Sequence, residues 1–224
     1  MVRRSTAAAA VLAAVIVLGG CSGEEEQAMP DTPILQAGAP GEDPVLLTEM
    51  PSIAEPEITT DDVDFVRHMI AHHGQALQMT ALVPDRSSRE DVPLFAERLH
   101  LSQEDEIRLM EEWLDEHRLE VLRLDEKSGG HAGHVDMATM PGVITEEQLA
   151  ALEAASGEEF DRMFLELMYA HHEGALTMVE ELWAGDFSGE VRLNNLIREI
   201  DSDQRIEMDR INQMLASMGP ADQG

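Results

Sequence analysis

Two adjacent histidines flanked by methionines occur twice in this chain of 224 residues. The second set follows the first at a constant offset of 99 residues, as from position 69 to position 168. Imidazole nitrogen and thioether sulfur together are ligands that suit copper. The repeat therefore predicts a copper site made from two separate parts of the chain, and it leaves the oxidation state of the metal open. The predicted ligands are Met69, His72, His73, Met79, Met168, His171, His172 and Met178.

Helices are the elements that must position these side chains. Apolar residues recur at helical spacing through both segments, and a partner helix follows each of them. The partner helices also correspond, because Gln103 and Glu106 return as Gln204 and Glu207 at an offset of 101 (103 to 204). Two amphipathic hairpins bury their apolar stripes best against each other. We therefore predict an all-α fold, an antiparallel four-helix bundle of two duplicated hairpins, with no competing strand.

Start and stop signals set the predicted bounds of the helices. Pro84 follows the end of the first, and Gly219 with Pro220 stops the last. Thr145 and Gln148 form a capping box that opens a short helix. The predicted helices span 60–83, 91–122, 145–155 and 158–183, with a last one that ends at 218; the bundle domain spans 59–219, with copies at 60–123 and 158–218 and a linker at 124–157.

Both histidine pairs fall in or beside the apolar arc of their helices, at about 100° per residue. A buried imidazole needs partners for its nitrogens. Two interpretations stay open: the four histidines bind metal, or they bond polar residues of neighbouring helices and specify the register of the bundle. The methionines taken alone are better explained as core packing. The polar partners available to the second interpretation are Gln103, Glu106, Gln204 and Glu207.

The linker between the two copies carries a separate set of soft ligands. His131, His134, Met137 and Met140 follow one another at spacings of three, between glycine and proline breaks. These methionines have no apolar periodicity that would place them in the core. The strip is either a second metal-binding segment or a mobile connector. The isolated histidines at 68, 100 and 117 are expected at the surface or at helix ends.

The N-terminal residues predict export and anchoring. Residues 1–20 combine a basic start with a short apolar run, which is typical of a signal peptide. The run ends at Cys21, the single cysteine, in a sequence that resembles a bacterial lipobox. Residues 21–58 are rich in proline and acidic side chains and predict a disordered tether. We therefore expect a lipoprotein of the cell envelope, held on the outer face of the membrane through lipid on Cys21.

The charge of the chain excludes some partners. The formal net charge is −30 at pH 7. A surface of this sign repels nucleic acid and anionic lipid headgroups and attracts cations. We therefore expect a metal ion as the partner, no nucleic acid, and membrane contact only through the N-terminal lipid.

The paired segments with their partner helices resemble the family called domain of unknown function 305, over about residues 60–218. This resemblance implies a ferritin-like fold, and it implies copper binding and copper tolerance, as in some exported members. The two copies differ at one point, since Gly74 and Gln75 stand where the second copy has Glu173 and Gly174. The copies therefore need not bind metal equally. The residues that match the family motif are His72, His73, Met79, His171, His172 and Met178.

Together these patterns predict an exported, lipid-anchored protein that binds copper for sequestration, tolerance or delivery. The first alternative is a lipid-anchored structural or interaction bundle without metal. The second is a di-iron oxidoreductase, which requires Glu-x-x-His on two helices. Glu97 and His100 form that pattern only once on the long helices. Because the pattern is not repeated where the fold is, an enzyme is not the expected reading.

Overall fold

The structure, a computed structural model, describes residues 34–36, 41, 43–47, 56–121 and 137–219. Its main body is all-helical, which confirms the predicted class. The predicted signal peptide 1–20, Cys21, most of the tether, His131 and His134 lie outside the described residues. The helices are α1 Thr60–Arg86, α2 Asp91–Glu116, α3 Glu146–Ala154, α4 Gly157–Ala184 and α5 Val191–Met218, and a 3₁₀ turn spans Met137–Thr139.

The first helix begins as predicted and ends later. Thr59 and Asp62 form a capping box, in which each side chain accepts from the other's backbone N–H. Pro84 lies inside α1 and not beyond its end, so the predicted end at residue 83 is wrong. Proline removes only its own N–H from the ladder, and the amide of Ser87 still donates to Val83 O at 3.0 Å. The last turn therefore closes around the proline.

The second helix ends at Glu116, before the predicted residue 122. Arg118 has a left-handed backbone, with φ of 57°. The amide of Leu119 donates to Leu114 O at 2.8 Å, and that of Arg118 donates to Asp115 O at 2.9 Å. These two bonds form a Schellman motif, which normally uses glycine at the left-handed position. With arginine there, the sequence carried no visible stop signal.

The long helices surround a common core. Helix α1 packs against α2 and α4, α4 packs against α5, and a thinner contact joins α2 to α5. The buried apolar residues form two clusters, one on each side of the level at which the histidines lie along α1 and α4. The first core cluster includes Phe65, Met69, Met110, Trp113, Met178 and Leu182. The second core cluster includes Met79, Phe95, Phe160, Phe164, Met168 and Met214.

Reciprocal hydrogen bonds hold the ends of the hairpins. Asp161, the fifth residue of α4, accepts from the backbone N–H of Ser88 at 3.1 Å and from its hydroxyl at 2.8 Å. Asp62, in the first turn of α1, accepts from the N–H of Ser188 at 3.3 Å. Positions 62 and 161 are related by the offset of 99 residues. Each half of the body therefore binds the interhelical loop of the other half.

A short hairpin precedes the helical body, contrary to the expectation of no strand. Strand β1 Ile34–Gln36 pairs antiparallel with β2 Val45–Leu47. The aliphatic runs favour extended backbone, and Gly41 takes a positive φ of 100° between them. The frequent prolines of this segment obscured the strands in the sequence, although none of them lies within either strand. Among the described residues, no helix has the length and hydropathy needed to span a membrane.

Candidate metal centre

Helices α1 and α4 bring four histidines together in the core. All four side chains are fully buried. The rings of His72 and His171, here called the inner pair, meet across the α1–α4 contact with centroids 3.7 Å apart. His73 and His172, here called the outer pair, lie with their ring centroids 6.4 Å from those of their sequence neighbours. Adjacent residues on a helix differ by about 100° in direction, so the two pairs face different surroundings.

Backbone carbonyl groups hold the inner pair. His72 donates through Nε2–H to Pro141 O at 3.1 Å, and His171 donates through Nε2–H to His72 O at 3.0 Å. Burial, and then the neighbouring His73, lowers the pKa of His72 to about 3. Burial, followed by the charge of His72, also holds the pKa of His171 well below its usual range. Both imidazoles are therefore neutral near pH 7 and can act as metal ligands.

Carboxylates hold the outer pair. His73 donates through Nε2–H to Glu106 Oε2 at 2.7 Å, and His172 donates to Glu207 Oε2 at the same distance. Glu106 lies on α2 and Glu207 on α5, so each half supplies its own histidine and carboxylate. These are two of the polar partners that the register interpretation named, and the structure brings them together with the histidines.

The second ring nitrogen of each histidine has no partner in the described part of the chain. Nδ1 of His72, His73, His171 and His172 is buried and makes no hydrogen bond there. Because each Nε2 carries a hydrogen, the Nδ1 of the neutral imidazole presents a lone pair. Leaving a buried acceptor unpaired costs about 1–3 kcal/mol. Each of the four atoms is therefore a candidate donor to an electron-pair acceptor such as a metal ion.

Methionine sulfur lies on both sides of the histidines. Met69 precedes His73 by one helical turn, and Met168 precedes His172 by the same spacing. Both methionines are fully buried, as is Met79, and Met178 is 7% exposed. Met69 and Met178 belong to the first core cluster, whereas Met79 and Met168 belong to the second. Thioether is therefore within the two apolar layers that enclose the imidazoles.

The donor set is soft and not carboxylate-rich. Across the residues that the structure describes, no three histidine, cysteine, aspartate or glutamate side chains converge at metal-binding distance. A metal bound here would need methionine sulfur in addition to imidazole. This set of donors suits copper, whereas a di-iron site needs bridging carboxylates. The Glu-x-x-His pattern of that alternative points elsewhere: Glu97 is exposed, and His100 Nδ1 lies 2.8 Å from the hydroxyl of Thr80.

Residues 137–144, here called the strap, cross the inner pair. Gln75 on α1 holds the strap by donating to Ile144 O at 2.9 Å and accepting from Ile144 N–H at 2.8 Å. On α4, a side chain at Gly174 would overlap Pro141 O, so only glycine lets the strap approach this closely. Gln75 and Gly174 occupy equivalent positions in the two copies. The point at which the copies differ in sequence is thus the point at which one strap crosses both helices.

The strap places its methionines differently from the prediction. Met140 is 8% exposed and packs in the first core cluster, so its assignment to a strip outside the core is wrong. Met137 is half-buried and packs against the same cluster. The bond from His72 to Pro141 O places the residue after Met140 directly at the inner pair. Whether this segment binds metal with His131 and His134 stays a prediction, because both histidines lie outside the described residues.

The model of the family described as domain of unknown function, DUF305, matches residues 62–215. The chain belongs to the DUF305 family. A DUF305 fragment from Deinococcus radiodurans is 30% identical, with a TM-score of 0.61, over 72% of this chain and 99% of that one. A DUF305 protein from Streptomyces coelicolor is 28% identical, with a TM-score of 0.59, over 71% of this chain and 94% of that one.

The DUF305 fold also matches CopM in its Cu(II)-bound form, at 24% identity and a TM-score of 0.54, over 72% of this chain and 99% of CopM. CopM in its Cu(I)-bound form is 22% identical, with a TM-score of 0.54, over 73% of this chain and all of CopM. At these identities the likeness shows a shared fold. No curated protein matches the chain.

Solvent approaches the two halves of this DUF305 chain unequally. A groove of about 420 Å³ lies along the α2–α5 side, and Phe95, Arg98, Glu207 and Arg210 are among its lining residues. The side chain of Glu207 is 14% exposed, compared with 8% for Glu106. The groove therefore reaches the carboxylate that holds His172.

The sequence predicts the four histidines and two of their bonding partners, but it does not predict the strap that crosses them. Glu106 and Glu207 are partners in the register interpretation, and they recur at an offset of 101 residues, close to the offset of 99 of the histidines. Gln75 and Gly174 were noted only as a departure from the repeat, and that departure was the available signal for the strap. His117 was expected at a surface or helix end, and it closes the end of α2 with Nδ1 2.8 Å from Trp113 O.

Proposed function

We propose that this DUF305 protein binds copper in its helical core for sequestration, tolerance or delivery. The observation that carries the proposal is the set of four buried Nδ1 atoms, none of which has a hydrogen-bond partner among the described residues. The Nε2 atom of each of these rings is already hydrogen-bonded. Methionines of both core clusters supply thioether to complete a soft donor set. The proposed ligands are His72, His73, His171 and His172, with Met69, Met79, Met168 and Met178.

The relatives support the choice of metal. CopM, which shares the fold, has structures described as Cu(II)-bound, Cu(I)-bound and Ag-bound. Silver and cuprous ions share a preference for soft ligands, and imidazole accepts the cupric ion as well. We extend this chemistry to the present chain because its histidines provide imidazole nitrogen and its methionines provide soft sulfur.

We also propose a history and a location for the domain. The constant offsets favour a ferritin-like four-helix bundle that arose by duplication of a helix hairpin.

The N-terminal sequence favours export and lipid attachment at Cys21, with residues 21–58 as a tether. The Streptomyces coelicolor relative is provisionally described as a secreted protein. Replacing Cys21 with serine should release the protein from the membrane fraction, and an unchanged distribution would remove the anchor from this account.

A second candidate function rests on the bonds of the outer pair. His73 with Glu106 and His172 with Glu207 form polar contacts, the first buried and the second part-buried, that would specify helix register in a bundle without metal. This candidate leaves the Nδ1 atoms unexplained. It predicts tight folding that does not depend on any metal.

Competition titration with a chromogenic copper chelator tests the proposal. The full chain is compared with a variant carrying His72, His73, His171 and His172→Gln, which keeps polar side chains in the core. We expect the wild type to take copper from the chelator and the variant to leave it there. The matched control replaces His68, His100 and His117 with Gln and should bind as the wild type does. Equal binding by wild type and the core variant would reject the core site.

A further inference from the structure

The carboxylates of Glu106 and Glu207 each contact one histidine of the outer pair. Each outer histidine donates through Nε2–H to a glutamate oxygen at the same distance of 2.7 Å. The other oxygen of Glu106, Oε1, is buried and has no partner in the described part of the chain. The negative charge of Glu106 is therefore directed at His73 and is not spread over other donors.

A carboxylate on Nε2–H has two effects on an imidazole that binds metal. It fixes the tautomer, so that Nδ1 keeps the lone pair, and it raises the basicity of that nitrogen. A more basic ligand favours the ion of higher charge. The inner pair lacks this assistance, because its Nε2–H groups donate to neutral carbonyl oxygens. The two pairs therefore differ in donor strength although they share a residue type.

We propose that Glu106 and Glu207 are positioning residues that present Nδ1 of His73 and His172 to copper and make the outer pair the part of the site that retains Cu(II). This inference rests on the copper-binding function proposed above. The glutamates act through the histidines and not as ligands themselves. In the described residues no third carboxylate or imidazole joins them in a metal-binding group, and the Oε2 atom of each already accepts from Nε2.

The test uses the full chain with Glu106→Gln and Glu207→Gln. Glutamine keeps an oxygen that accepts from Nε2–H, so the change removes the charge and retains the hydrogen bond. The matched control, Glu104→Gln with Glu199→Gln, removes the same charge from exposed positions on the same two helices. Affinities for Cu(II) and Cu(I) are measured separately by competition with chelators specific for each ion.

We expect the Cu(II) affinity of the Glu106 and Glu207 variant to fall about 10- to 100-fold. The Cu(I) affinity should change much less. A tenfold preferential loss of Cu(II) corresponds to a rise of about 59 mV in the potential of the bound copper. The control should keep both affinities within about twofold of the wild type, since distant exposed charges are screened. Equal losses for both ions, or no loss, would overturn the proposal.

Nitrogen NMR of the metal-free wild type separates this inference from the proposed function. The ring hydrogen of His73 and His172 should reside on Nε2 in the wild type and in the glutamine variant. In the variant Glu106→Leu with Glu207→Leu, either ring nitrogen should be able to carry it. A hydrogen on Nδ1 in the wild type would overturn the positioning role even if copper binds. Failure of the wild type to bind copper would reject the copper function while the tautomer result stands. The single variants Glu106→Gln and Glu207→Gln replace the double variant if it does not fold.

Discussion

The inner and outer histidine pairs are neighbours in sequence and equally buried, yet they have different electrostatic surroundings. The inner pair faces the α1–α4 contact and donates to carbonyl oxygens, one of them in the strap. The outer pair faces α2 and α5 and donates to carboxylates. A rotation of about 100° between adjacent helical residues creates this difference. The two histidines of a His-His dipeptide on a core helix can therefore be different kinds of ligand, because each is hydrogen-bonded to a different neighbouring element.

The two members of the inner pair also differ from each other, because a single strap crosses both of their helices. His72 donates to the strap, whereas His171 donates to the backbone of α1. Gln75 holds the strap on one helix, and Gly174 gives it room on the other. His73 and His172 each donate to a glutamate, whereas the inner histidines donate to carbonyl groups of different elements. The outer pair therefore keeps the same kind of partner in both halves, although Glu207 is more exposed than Glu106.

The largest effect should come from Gly174→Ala, which places a methyl group against Pro141 and Gly142. Overpacking against backbone should lower the free energy of unfolding by about 3 kcal/mol. The matched control is Gly74→Ala, where the methyl group meets no neighbouring atom. That change should raise stability by about 0.5–1 kcal/mol, since alanine is the better helix former. Urea unfolding measures both, and equal effects would show that the strap does not press on α4.

Acid should weaken the metal-free fold through the inner pair. The pKa of His72 is lowered from 6.5 to about 3, so between these values the unfolded chain binds a proton that the folded chain does not. The contribution of neutral His72 to the free energy of unfolding is therefore fully present above pH 6.5 and is lost as the pH falls toward 3. Lowering the pH from 7 to 5 should cost on the order of 2 kcal/mol at this residue. The difference between wild type and His72→Gln in urea unfolding at each pH checks this, and a constant difference would contradict it.

The smallest effect on stability should come from Met140→Leu. This substitution keeps the volume of a side chain that packs in the first core cluster, so it should cost less than about 1.5 kcal/mol. If the strap supplies sulfur to the inner pair, copper uptake in stopped-flow mixing should slow while the outer pair is unaffected. Met214→Leu, in the second core cluster, is the matched control, because it makes the same substitution at a methionine outside the proposed ligands. Unchanged uptake would make the strap a connector alone.

Several features of the fold and site followed from the sequence because they depend on local periodicity. The burial of His72, His73, His171 and His172 follows from their positions on helical apolar arcs, and the capping box at Thr145 follows from its own residues. The end of α2 did not follow, because Arg118 takes a left-handed backbone conformation that is usually found at glycine. Nor did the strap contacts, since Gln75 and Ile144 are 69 residues apart. Contacts of that separation depend on packing that no local pattern records.

X-ray absorption at the copper edge tests the central claim most directly. The full chain carrying Cys21→Ser is loaded with copper, so that every sulfur ligand must be methionine, because Cys21 is the single cysteine. The account predicts imidazole nitrogen and thioether sulfur bound to copper together, with both signals lost in the variant lacking His72, His73, His171 and His172. Copper bound only by oxygen, or a spectrum that the four substitutions leave unchanged, would contradict it.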